Sequence, residues 1–493
     1  MIRQDHDVSE PLKTRAGPLP APVPRRIGSL RLVPFCVSCL LGFVALGANA
    51  AHASPASLYG LGARWSAMGG AGVATANDFA ACFYNPAGLA RARTGSVEVG
   101  LLLHAGWLSV PGGTRGVGGP ADAVLGLSVP LPLKRWLARR IWFGLAFTTP
   151  PNRLARLTAP MPSDIFYPYY ENRGDRLMIL PGLAARVIDR PSWGRLTVGV
   201  AANVLANLSG VVVAEQGAAR SIQARVSEKL STLVRVNAGV DYAFGDWSVA
   251  LAYRQAFAIR MTTTSANRVA GADLDLDIVA DVLYDPHTFS LGLSWSPTKW
   301  LLALQLDYAL WRLYKGPFVG VSSVLPLVGA LQGDPPEIQF HDAVALRLGM
   351  ERRMVVGRKG VELSVRAGLA FETTPVPVQH GRTNMLDGDK VSAMLGLGVN
   401  LGRVFRRKVW IDLHGRLDAL IPRTMAKRID TPSQQCPAPP VGSVDPDDVL
   451  VDEQPCDRTD PGTLGFQTSN PGYPSVHSQG FVLSGSLMFG MEL

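Results

Sequence analysis

The chain has 493 residues, 47 % of them hydrophobic and 18 % charged, against about 25 % charged in an ordinary soluble domain. That balance excludes a disordered protein, and beyond one N-terminal stretch no run of about 18 uncharged apolar residues suggests a helical membrane bundle. A net charge of +9 without a dense basic tract interleaved with aromatics argues against a nucleic-acid partner and suits anionic lipid head groups. A large soluble β protein or a membrane β-barrel remains.

Residues 1–53 read as an export segment. Arg25, Arg26 and Arg31 precede an uncharged apolar stretch from Leu32 to Ala51 that ends in the triplets Ala48-Asn49-Ala50 and Ala51-His52-Ala53. This is the charged, apolar, small-residue order of a secretory signal peptide. Cleavage after Ala53, or alternatively after Ala50, is expected; an uncleaved anchor helix is the competing reading.

Residues 54–95 are rich in Gly and Ala with short apolar pieces. Gly69, Gly70, Gly72 and Pro86 forbid one long helix, and the stretch lacks the alternation of a strand.

From residue 96 the hydrophobic pattern returns repeatedly to a period of two. Val361, Leu363, Val365, Leu369 and Phe371 alternate with Glu362, Ser364, Arg366, Gly368 and Glu372; Val409, Ile411, Leu413 and Leu417 alternate with Asp412, His414, Arg416 and Asp418. A packed sandwich core could not bury such charges without a heavy desolvation cost, whereas a polar lumen accepts them. Strands are expected near 96–108, 121–133, 140–149, 176–188, 195–209, 231–244, 246–260, 273–296, 299–312, 340–352, 360–372, 390–402, 408–420 and 480–493. The connections alternate between long and short, the rhythm of long extracellular loops and short periplasmic turns. The expected fold is therefore all-β, a 14-stranded antiparallel transmembrane β-barrel over 96–493. Fourteen strands enclose more space than inward side chains fill, so 54–95 is expected to fold into the lumen as a hatch.

Two apolar loops would stand on the rim. Exposed Ile165, Phe166, Tyr167, Tyr169 and Tyr170 in the first form a candidate capture surface; the alternative is that this loop and 317–331 pack on each other as a lid. Cys436 and Cys456 flank a 19-residue Pro-, Asp- and Gly-rich segment, where a disulfide would stabilise the loop by roughly 3 kcal/mol. Cys82 is left as a buried thiol. No G-x-S-x-G elbow, metal-ligand spacing or phosphate-cradling loop is evident, so no catalytic residue, metal or cofactor is assigned.

The run Gly69-Gly70-Ala71-Gly72-Val73-Ala74, then Asn77-Asp78, then Phe83-Tyr84-Asn85-Pro86-Ala87-Gly88-Leu89, resembles the N-terminal hatch of the FadL family of outer-membrane transporters. Residues 288–311 resemble that family's central strand pair, closing on Trp311, and 366–391 its later strand and Pro-Val-Pro loop. The resemblance implies a monomeric barrel in the outer membrane of a Gram-negative bacterium, amid phospholipid and lipopolysaccharide. It would pass long-chain fatty acids or aromatic hydrocarbons without an energy source, from the loops, past a gating hatch and sideways into the bilayer. Phe83, Tyr84, Asn85, Pro86 and Ala87 would form the gate. A non-transporting scaffold for protein secretion is the alternative reading, and a water-filled porin a third.

Overall fold

The computed structural model describes residues 55–118, 121–150, 160, 164–171, 173, 177–216, 222–269, 272–325, 329–333, 337–356, 361–379, 383–404, 406–426 and 475–493. The expected signal segment and the Cys436/Cys456 pair lie outside the described residues.

Fourteen strands form a closed wall: β1 (Ser96–Val110), β2 (Asp122–Pro130), β3 (Ile141–Thr149), β4 (Met178–Arg190), β5 (Gly194–Gln216), β6 (Ile222–Phe244), β7 (Trp247–Arg254), β8 (Thr288–Trp295), β9 (Trp300–Ala309), β10 (Ala343–Val356), β11 (Val361–Glu372), β12 (Lys390–Val404), β13 (Arg407–Ala426) and β14 (Ser475–Glu492). Each pairs antiparallel with its neighbours, and β14 returns to β1 with Ser96 opposite Glu492 and Leu108 opposite Gly480. Closure leaves no free edge. The outward residues are apolar and exposed, among them Leu101, Leu251, Leu369, Leu395, Leu413 and Phe489. Their inward neighbours Arg366, Asp412, His414, Arg416 and Asp418 are buried, so the two alternating faces are those read from the pattern.

The expected strand 273–296 is in fact two. Pro286 has no N–H to give the ladder, and β8 begins only at Thr288. The preceding residues Ala272–Asp285 instead form a hairpin with Phe257–Val269, which runs parallel to β5 from Thr262 opposite Ser209. Val319–Leu325 adds to the hairpin's other edge. The wall strand expected at 246–260 correspondingly stops at Arg254, and the expected loop 261–272 is largely strand. This hairpin layer stands at the end of the barrel carrying the long connections, the loop end; the short connections lie at the turn end.

Inside the wall sits the hatch: α1 (Pro55–Tyr59), α2 (Ala63–Ala67), α3 (Ala81–Tyr84) and a 3-10 turn over Pro86–Arg91. Glycines break it into such short pieces, because Gly60, Gly62, Gly69 and Gly70 all hold φ between 71° and 85°, where a side chain is strained. Its core is Trp65, Met68, Phe79, Cys82 and Leu89, all essentially inaccessible to solvent. Nine wall glycines on nine strands, Gly126, Gly144, Gly182, Gly199, Gly239, Gly292, Gly349, Gly368 and Gly396, face it. On eight of them a Cβ would come within 3.0 Å of a hatch atom. The wall thus has a collar of missing side chains into which the hatch backbone is seated.

Candidate functional site

The hatch divides the lumen. Toward the turn end lies a cavity of about 570 Å³ whose walls carry Arg64, Asp78, Arg91, Glu98, Glu351 and Asp412. Its charges are largely spent on one another. Arg64 from α2 donates twice to Glu351 on β10, from Nε and Nη2, both at 2.8 Å. Arg366 on β11 donates to the same carboxylate at 2.8 Å and also pairs with Asp412 on β13. Arg91 meets Asp241 at 3.0 Å, and Asp241 also accepts from Ser248 at 2.6 Å. Arg416 pairs with Asp418 at 2.7 Å. These inward charges therefore act as ties between strands and between wall and hatch, and an arginine sharing a carboxylate bidentately is held in a fixed orientation.

Toward the loop end lies a pocket of about 80 Å³ between Phe83 of the hatch, Arg254 of β7, Phe257, Trp311 and Tyr169. At about 80 Å³ it is smaller than an apolar cavity of about 150 Å³ that holds benzene. What closes it is the loop 164–173. Ile165, Phe166, Tyr167, Tyr169 and Tyr170, expected as an exposed capture surface, are instead buried. Ile165–Phe166 pairs in parallel with Asn384–Met385, and Leu386 N donates to Phe166 O at 2.8 Å. Tyr167 donates its hydroxyl to Ser109 O at 2.6 Å. The packed-lid alternative is the observed arrangement, but its backbone partner is 384–386 rather than the loop 317–331. Burial pushes the Tyr167 phenol up to about 12 and those of Tyr169 and Tyr170 well above the ordinary tyrosine value, so the lid carries no tyrosinate at neutral pH.

Arg173 latches this lid. Its guanidinium donates to Asp285 at 2.6 and 2.9 Å, at the foot of the 257–285 hairpin, and lies 4.9 Å from the Tyr169 ring and 5.1 Å from that of Trp311. Trp311 continues into an aromatic stack with Tyr284, Tyr314 and Phe340. Neither Arg173 nor this stack was singled out from the sequence, because their pairing depends on a hairpin that the pattern placed in the wall.

The expected gate residues divide by position. Phe83 faces the loop-side pocket with the Arg254 guanidinium 4.6 Å above its ring. Tyr84 points into the hatch, and its hydroxyl accepts from Leu61 N at 3.1 Å. Asn85 is wholly buried: Oδ1 accepts from Ala87 N at 3.1 Å and caps the 3-10 turn, while Nδ2 donates to Val73 O at 2.9 Å and to Val240 O at 3.3 Å. Pro86 stands first in that turn, where its missing N–H costs nothing. Gly199 and Gly239 on the wall leave room for Ala87 and Asn85. Asn85 and Pro86 therefore build the turn that seats the hatch, and only Phe83 of the five reaches the loop-side pocket.

No protein-family profile and no curated protein matches the chain. Among solved structures, a FadL homologue from Pseudomonas aeruginosa is similar at 12 % identity with a TM-score of 0.50, over 87 % of this chain and 96 % of that one. The monoaromatic hydrocarbon channel CymD gives 12 % and 0.49 over 88 % and 97 %, and the P. putida toluene transporter TodX 15 % and 0.47 over 88 % and 99 %. The first of these likenesses shows the architecture: the chain has the FadL-family fold, a closed fourteen-stranded antiparallel barrel around an N-terminal hatch.

Proposed function

We propose that the chain is a monomeric outer-membrane channel for passive uptake of a hydrophobic compound, with its loop end facing outward. The observation that carries this reading is the narrow pocket between the Arg173 lid and Phe83 of the hatch, where aromatic rings stand beside the Arg254 guanidinium. A buried aromatic site under a latched loop suits a ligand that leaves water, displaces the lid and rests against the hatch. No reaction is part of the reading.

Arg254 bears on the head group. Arg64 is held by Glu351, whereas Arg254 has no ion pair among the described residues and lines the loop-side pocket. An amphipathic carboxylate such as a long-chain fatty acid would meet Arg254 and lay its chain along Phe83 and Trp311; an uncharged hydrocarbon would use the rings alone. Lateral release is assigned to β4 beside Pro181. There the β4–β5 ladder is interrupted between the pairs Ile179–Val204 and Gly182–Ala201, because proline gives the ladder no donor.

The test is uptake of radiolabelled fatty acid and of a monoaromatic hydrocarbon by vesicles carrying the full chain, beside the same chain lacking 55–90. Saturable uptake of either compound supports the reading, and Arg254→Gln should then impair only the carboxylate. Uptake of neither sinks it. A large, steady single-channel conductance would favour the porin, and a stable complex with a surface protein in the absence of uptake would favour the scaffold.

A further inference from the structure

Along the sequence, the short and the long connections between wall strands differ in the sign of their charge. In sequence, the six short connections between wall strands hold seven more basic than acidic residues, and the long connections hold seven more acidic than basic. At the turn end Lys134, Arg135, Arg139, Arg190, Arg352 and Arg406 are exposed. Lys134, Arg135 and Arg139 share the β2–β3 connection, Arg190 ends the neighbouring β4, and Arg352 and Arg406 stand at the end of β10 and between β12 and β13.

Backbone geometry marks three of them. Among the described residues, those other than glycine with positive φ are Arg135 at 58°, Arg139 at 56° and Arg406 at 69°. The left-handed region is disfavoured for a long side chain, and Gly or Asn is the residue it ordinarily takes. No ion pair among the described residues holds any of the three; the nearby acids Asp189 and Glu492 pair with Arg186 and Lys408. A strained position that carries arginine and gives it no internal partner is explained by a partner outside the chain.

Tryptophans share this rim. Trp136 is 73 % exposed and Trp193 65 %, while Trp247 and Trp295 stack at 6.0 Å and Trp300 carries the Arg352 guanidinium 5.0 Å from its ring. They border the apolar outer face of the wall. Rings at that level mark the boundary between hydrocarbon and head group, and basic side chains beside them are placed where lipid phosphates lie.

We propose that the turn-end rim is a binding surface for anionic phospholipid head groups of the phosphatidylglycerol type, which the left-handed arginines engage at the β2–β3 and β12–β13 connections. The bordering tryptophans Trp136, Trp193 and Trp300 set these arginines at the level of the bilayer boundary, where lipid phosphates are the nearest anions. The inference rests on the barrel lying in a bilayer and not on what crosses it, so it stands or falls separately from the uptake assay.

The test is tryptophan quenching in vesicles of phosphatidylcholine holding a minor fraction of brominated phosphatidylglycerol or, in parallel, brominated phosphatidylcholine. The brominated anionic lipid should quench more, and raised salt should close the gap. The variant R135G/R139G/R406G removes three charges while relieving the positive φ, so the barrel stays folded by circular dichroism and by its resistance to unfolding on heating. Selectivity should fall about fivefold for each arginine removed at low salt, while R135K/R139K/R406K should retain most of it. Equal quenching by the two lipids in the native chain, or unchanged selectivity in the glycine variant, would overturn the proposal. Displacement of brominated phosphatidylglycerol by lipid A at matched phosphate, or by an acidic polypeptide, would reassign the rim and overturn it as well.

Discussion

The two compartments on either side of the hatch differ in volume and in what holds them. The turn-side cavity is about 570 Å³ and charged; the loop-side pocket is about 80 Å³ and sets the rings of Phe83, Tyr169, Phe257 and Trp311 among Arg254, Asp307 and Arg347. On the turn side, ion pairs fasten the hatch to three wall strands through Arg64, Glu351, Arg366 and Asp412. On the loop side Arg173 and Arg115 fasten a lid across the pocket. The contrast separates anchoring from opening: the hatch is fixed from below and by the glycine collar, while on the proposed route it is the loop above that must move.

The largest effect should come from breaking the anchor. Glu351→Ala leaves the half-buried Arg64 without its carboxylate and Arg366 with Asp412 alone, a loss that approaches the roughly 3–5 kcal/mol of breaking a buried pair. The expected outcome is a folded wall with a released hatch, seen as protease cleavage within 55–95 and a rise in ion conductance. A variant that keeps the hatch protected would show that the collar alone holds it.

Next in size is the collar itself. A valine at Gly239 would drive into Asn85, and one at Gly199 into Ala87 and Pro86; overpacking of this kind costs about 1–3 kcal/mol, and more against rigid backbone. Both should loosen the hatch in hydrogen exchange while leaving the loop-side lid as it is. Gly415, which meets nothing within 4 Å, is the control, and Gly415→Val should be neutral.

These features were unequally legible in the sequence. The wall was readable because outward Leu369 and Leu413 alternate with inward Arg366 and Asp412, and lipid on one side and lumen on the other keep that period regular. Asp275 and Asp277 alternate with Leu274 and Leu276 equally well, so 273–285 looked like wall; only long-range pairing sends it to the hairpin layer. An inward glycine in an alternating strand looks like any other member of the polar face, so the collar was invisible strand by strand. The signal that could have found it is one inward glycine on strand after strand, opposite a segment already read as a plug. The lid residues were identified as a unit but expected to be exposed, because nothing local in 164–170 reveals the 384–386 segment that covers them.

On the loop side, Arg173→Ala should unlatch the lid. It removes both hydrogen bonds to Asp285 and the contacts with Tyr169 and Trp311, a loss of about 2 kcal/mol from a buried charged pair. Initial uptake should rise severalfold while hatch protection from protease stays unchanged. If uptake is unaffected, the pocket under the lid is not on the route.

The smallest effect, and the one that separates two roles, belongs to Asn85. Loss of its cap should cost about 1 kcal/mol, with the buried Val73 and Val240 carbonyls adding to that. If Asn85 only builds the turn, Asn85→Ala should lower hatch protection in hydrogen exchange and alter uptake in proportion, so that a second change restoring hatch stability restores both. If it also gates, uptake should change at full hatch protection. The geometry favours the first outcome. All three of its bonds are to backbone atoms, one inside the turn and two holding that turn against Val73 and β6, and Gly239 on the same strand is the glycine that makes room for it. A side chain committed in this way keeps the hatch in register with the wall, and leaves to Phe83, the one member of the motif that lines the pocket, any direct contact with what passes.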